Sequence, residues 1–111
     1  MTIVWDDFAK VDIRVGKIVD VRVFERARNP SYKLTIDFGG EIGTRESSAQ
    51  AKTDYEPDDL LGLQVLAVVN FEPKNIAGFM SEVLVLGVPR EGGGLSLVSP
   101  THSAEIGGRL Y

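Results

Sequence analysis

Apolar and polar residues alternate with a period of two along much of the chain. In Ile13–Val23 the odd positions Ile13, Val15, Val19, Val21 and Val23 are apolar, Lys17 alone excepted, and the even positions are mostly Arg14, Gly16, Asp20 and Arg22. Alternation this rich in β-branched residues predicts a half-buried strand of about ten residues. Gly16 predicts a bulge or sharp bend, the device by which one long strand serves both sides of a small barrel. A second strand places Tyr32, Leu34, Ile36 and Phe38 on one side and Lys33, Thr35 and Asp37 on the other. Phe24–Ser31 is the loop between them, with a turn signal at Asn29-Pro30. Gly39-Gly40 closes the second strand, and Thr44–Ala49 reads as a polar third.

Asp54–Leu63 predicts a short helical turn or irregular link, with Pro57 early and Gly62 at its end. Gln64–Asn70 and Glu82–Val88 are nearly continuous apolar runs, which predicts central strands buried on both faces. Phe71–Ser81 joins them as a long loop. Leu95–Val98 forms a short strand after Gly92-Gly93-Gly94, and Trp5 and Phe8 share one helical turn at the head. Five strands and a short helical insertion in little more than a hundred residues predict an all-β fold. The expected architecture is a small five-stranded Greek-key barrel with short helical segments, one domain over residues 1–111.

Composition narrows the classes without changing the fold. A chain of 111 residues has the size of one domain. With 43% apolar and 25% charged residues it is ordinary globular material, which excludes disorder. The absence of cysteine excludes a disulfide scaffold, a thiolate metal site and thiol catalysis. The opening Met1–Asp7 has no basic region, and the apolar runs near Val65–Val69 and Val83–Leu86 fall far short of the ~20 residues of a membrane span. The expectation is a soluble cytoplasmic protein with no membrane insertion.

Net charge is −4, which argues against indiscriminate binding of nucleic acid. The charge is uneven, however. Residues 14–33 hold Arg14, Lys17, Arg22, Arg26, Arg28 and Lys33 against Asp20 and Glu25, whereas residues 46–59 are acidic apart from Lys52. Most of these charges are expected to keep strand edges soluble.

Catalytic chemistry finds no support. His102 is the only histidine and lies in a polar tail, and no His/Asp/Glu cluster has metal-ligand spacing. Ser47-Ser48 has no companion base, and Gly92-Gly93-Gly94 is not followed by the Lys-Ser/Thr of a phosphate loop. Asp54, Glu56, Asp58 and Asp59 lack the glycine and final glutamate of a calcium loop. The chain is read as a non-enzyme without cofactor or metal.

The long loop offers a binding surface instead. Phe71, Ile76, Phe79 and Met80 either cap the barrel mouth or line an exposed apolar site, and Phe79 and Met80 are the harder pair to bury. Methionine and aromatics on a loop suit adaptable recognition of apolar peptides. At the chain ends, Trp5, Phe8, Ile106, Leu110 and Tyr111 are apolar groups that a small barrel does not easily cover alone, so a symmetric dimer is expected through them.

Several segments together resemble a known family. Phe8–Ile18, Leu34–Gly39, Arg45–Gln50 and Val68–Gly87 are similar to the bacterial tRNA-binding OB domains. Ser47-Ser48-Ala49-Gln50 and Ile76-Ala77-Gly78-Phe79 look like the CsaA branch, the protein-export chaperones. The resemblance covers nearly the whole chain. It implies a homodimer with the termini in the shared interface. It also implies a chaperone-like role in post-translational secretion, with unfolded preproteins or peptides as partners and the secretion translocase downstream. The alternative it implies is a tRNA-binding module, with Arg45, Ser47, Asn70, Lys74 and Ser81 on the RNA-facing surface. Where RNA-binding relatives add basic residues after Lys74, this chain has Asn75–Met80, with Met80 apolar. That departure favours peptide binding at Phe71, Ile76, Phe79 and Met80.

Overall fold

The computed structural model describes every residue from Met1 to Tyr111. In chain order the elements are α1 (Trp5–Ala9), β1 (Ile13–Val23), β2 (Tyr32–Asp37), β3 (Thr44–Ala49), α2 (Pro57–Leu60), β4 (Gln64–Val68), β5 (Lys74–Ile76), β6 (Phe79–Ser81), β7 (Leu84–Val85), β8 (Gly87–Pro89) and β9 (Leu95–Leu97). Five strands form one antiparallel sheet in the order β3-β2-β1-β4-β7, which curls until β3 nears β7. The result is a nearly closed five-stranded barrel with the all-β, OB-type architecture expected. Two satellite hairpins, β5–β6 and β8–β9, attach to it.

β1 is long enough to be shared. Lys17–Val23 pair with β2, and Ile13–Lys17 pair with β4. The edge that β2 leaves free is taken by the chain's end, where Val15 N–H donates to Gly108 O (2.9 Å) and Leu110 N–H donates to Ile13 O (2.8 Å). The register with β2 shifts between Ile18 and Asp20, which places the bulge at Val19 and not at Gly16. One extra residue reverses the phase of every side chain beyond it. The inward positions are therefore Gly16 and Ile18 before the shift and Val21 after it, while Val19 and Val23 are exposed. Uniform odd-position burial does not hold for this strand. Gly16 serves close approach instead: a Cβ there would lie 2.5 Å from Ile36 Cγ2 and 2.6 Å from Phe38 Cε1.

The core gathers on the inner face of β2. Tyr32, Leu34, Ile36 and Phe38 are all buried, as their alternation predicts, and Ile18, Leu60, Val65 and Ala67 pack with them. α2 begins with Pro57, its Glu56 N–H donates to Asp59 Oδ2 (2.9 Å), and Leu60 plugs the barrel end. The buried Tyr32 hydroxyl donates to Tyr55 O (2.7 Å). Burial, assisted by the charges of Glu56 and Asp59, raises that phenol above its ordinary value.

Two expectations fail in the second half. Glu82–Val88 is not one central strand: it breaks into β7 and β8, with Leu84 and Val88 exposed. Phe71–Ser81 is not an open loop, since Lys74–Ile76 and Phe79–Ser81 form a hairpin. Its turn needs two left-handed residues, supplied by Ala77 (φ 49°) and Gly78 (φ 87°).

Candidate functional site

The barrel is sealed unevenly, and the site lies where it is sealed least. Between β3 and the Ser81–Val85 segment only the first rung is a plain main-chain bond, from Glu82 N–H to Glu46 O (2.8 Å). The return donor, Glu46 N–H, goes to Glu82 Oε1 (2.8 Å). Farther along, Ser48 N–H donates to Ser81 Oγ (3.1 Å), and the Ser47 hydroxyl reaches Val83 O (3.1 Å). Side chains thus replace main chain along the seam, and the two edges part.

A groove of about 460 Å³ opens between them. One wall is Ser48–Gln50 and the other Val83–Val85; Phe71 and Ile76 stand at the hairpin end, and Leu95 and Leu97 close the other end. Phe71 is 59% exposed and Leu84 49%, so large apolar groups face solvent here. Three charged side chains line the groove, Glu72, Glu82 and Lys74.

The structure divides the residues expected to hold peptide. Phe71 and Ile76 line the groove, whereas Phe79 and Met80 do not. Phe79 is half-buried edge-on against Phe24 (centroids 5.4 Å), and Lys33 Nζ sits 4.9 Å and 5.1 Å from the two ring centres. Cross-strand register puts Met80 with Asn75 on the opposite hairpin face, where it is 48% exposed. Phe79, expected to be the harder to bury, is better covered than Phe71.

The five positions on the expected RNA face are also scattered. Lys74 and Ser81 line the groove. Arg45 is half-buried, its Nε donating to Ile42 O (3.3 Å). Ser47 is wholly buried and presents no atom to solvent, its hydroxyl being committed to main-chain carbonyls. Asn70 acts as a staple: its Oδ1 accepts from Asp12 N–H (3.0 Å) and its Nδ2 donates to Lys10 O (2.7 Å). One acceptor and one donor position of the exposed Asn70 amide thereby fix the entry to β1.

A second apolar surface lies at the chain ends. Trp5 and Phe8 pack 5.2 Å apart on α1 and, with Leu110 and Tyr111, line a hollow of about 340 Å³. Trp5 is 69% exposed and Tyr111 fully so. Ile106 lies elsewhere, beside Gly39. Beneath the hollow, Arg14 Nε bonds Asp12 at 2.6 Å, and Arg109 approaches the same carboxylate at 3.5 Å. The hydrogen bond to Asp12 raises the Arg14 guanidinium above its ordinary value.

Residues 13–109 match the family described as "Putative tRNA binding domain". The chain belongs to this family. Its structure is similar to the CsaA chaperone protein of Picrophilus torridus, with a TM-score of 0.93 and 47% identity over 99% of this chain and 100% of that one. It is also similar to chaperone CsaA of Bacillus anthracis str. Ames, with a TM-score of 0.92 and 43% identity over the full length of both. The member therefore sits in the CsaA branch of the tRNA-binding family. Methionine–tRNA ligase of Thermococcus onnurineus is 36% identical over 106 residues, but the chain spans only 14% of that protein. The family likeness to the ligases is a likeness to one domain of them.

Sequence reasoning missed Val83–Val85, Leu95 and Leu97 as groove residues. The available signal was a run apolar on both faces, Val83–Leu86, lying opposite the polar β3. A neighbour that polar leaves one face of such a run without cover.

Proposed function

We propose that the protein is a chaperone that holds extended apolar segments of unfolded polypeptide in the groove between β3 and β7. The observation that carries this reading is the open apolar groove itself, with Phe71 and Leu84 half exposed, in a chain of CsaA architecture. In the cell its clients are preproteins awaiting secretion from the cytoplasm, delivered onward to the translocase. The acidic surface, net −4, steers segments that begin with lysine or arginine. The working unit is a homodimer, with Trp5, Phe8, Leu110 and Tyr111 covered by a second copy and Ile106 supporting the tail behind them.

Fluorescence polarisation near physiological salt tests the reading, using a labelled presequence-like peptide. Phe71→Ser with Leu84→Ser is expected to weaken peptide binding at least about tenfold, the loss of two apolar contacts. Unchanged affinity would remove the groove from the function. Trp5→Ser with Leu110→Ser is expected to give monomer by sedimentation, and a persistent dimer would remove the terminal surface.

A second reading, tRNA binding, is favoured by the family description and by the position of Lys74 on the groove. On that reading Arg45→Ala with Lys74→Ala weakens tRNA binding and flattens its salt dependence.

A further inference from the structure

The groove has a feature that apolar lining alone does not explain: its two long walls are strand edges with main-chain groups left unpaired. Just past β7, Leu86 N–H donates to Leu66 O (2.9 Å). The alternation of an antiparallel ladder then turns the N–H and C=O of Val85, which lies opposite Ala67, away from β4 and toward the groove. The Val83 N–H donates to nothing in the chain. On the facing wall β3 ends at Ala49, and the Gln50 N–H and side chain likewise make no hydrogen bond. The next N–H back along that edge, Ser48, is satisfied only by the Ser81 hydroxyl.

We propose that the groove binds its polypeptide by strand addition, an extended segment pairing its main chain with Val83–Val85 and with the Gln50 end of β3. This rests on the peptide-holding function proposed above and specifies how that site reads its ligand. Unpaired donors and acceptors at strand spacing are complementary to a polypeptide backbone and to no particular side chain. Alternate side chains of the added strand fall against Phe71, Ile76, Leu84 and Leu97, and the others point to solvent. Glu72 and Glu82 at the rim, against Lys74 alone, complement a segment flanked by basic residues. Affinity drawn from main chain is what a holder of many unrelated clients needs, because every client supplies the same groups.

The test uses a short peptide of alternating leucine and serine with lysine at each end. Two further versions carry N-methyl groups on alternate amides, one for each edge of the strand. The parent is expected to bind, and at least one methylated version is expected to bind about tenfold or more weakly, as the loss of two main-chain hydrogen bonds implies. Amide exchange at Val83, Val85 and Gln50 is expected to slow with the parent and not with that version. Equal affinity of all three peptides, with unchanged exchange, would overturn strand addition while leaving peptide holding intact. A parent peptide that does not bind would overturn both. Displacement of the parent by single-stranded polyuridine would reassign the groove to RNA and overturn the proposal.

Discussion

The two sides of the barrel are built by different means. Between β1 and β2 the wall is a main-chain ladder whose inner face carries Ile18, Leu34 and Ile36, all without solvent exposure. Between β3 and β7 the wall is a seam in which serine hydroxyls and one glutamate stand in for ladder bonds, and its apolar groups face outward. The first side concentrates burial, which is where stability comes from. The second forgoes burial and ladder bonds and gains access. A small barrel can afford one open seam because the rest of its circumference is closed.

The contrast can be broken from the closed side. Ile36→Ala is expected to cost about 2–5 kcal/mol in urea unfolding, the usual range for a fully buried aliphatic. Leu84→Ala on the seam is expected to change stability by less than about 0.5 kcal/mol. Equal losses at the two positions would erase the distinction. Gly16→Ala comes next, at about 1–3 kcal/mol, because its methyl would press on Ile36 and Phe38 where neither has room.

Two smaller effects sharpen it. Ser81→Ala removes the acceptor of the Ser48 N–H and is expected to cost about 1–2 kcal/mol. Its amide-exchange signature is faster exchange confined to β3, with β1 and β2 unaffected. Tyr32→Phe removes the hydrogen bond to Tyr55 O and is expected to cost about 1 kcal/mol at neutral pH. Here pH gives a further readout. The fold raises the Tyr32 phenol, so its contribution is complete below the unfolded value of 10.0 and is lost as pH rises past 10 toward the folded one. Wild type and Tyr32→Phe should therefore converge in stability above pH 10, and a constant gap would contradict the assignment.

The closed side was also the legible one. β2 follows its alternation residue for residue because it has one register and one buried face. β1 was legible in extent but not in phase, since a bulge at Val19 uses a residue that looks like any other strand valine. The β5–β6 hairpin escaped notice because its turn is Ala77-Gly78 and not the Asn-Gly that usually announces one. Of the residues read from the sequence, Phe71 and Ile76, expected to hold peptide, and Lys74 and Ser81, expected on an RNA face, all line the groove. Val83–Val85 were not, because a doubly apolar run reads as interior unless its neighbour is known to leave one face bare. Ser47 misled in the opposite sense: a serine on a polar strand reads as surface, and only its bond to Val83 O makes burial tolerable.

The sharing of β1 among three partners sets a schedule for folding. Its mates arrive at residues 32–37, 64–68 and 107–110, so the Ile13–Val15 part of one edge stays open until residues 107–110 have been made. Pairings this distant in sequence close large loops before they gain anything, which slows the search for the native state. During that interval the strand is a template for unwanted association with other chains. A protein whose proposed task is to shield unfinished polypeptides passes through that vulnerable condition itself, with Arg14 the one charge on the waiting segment.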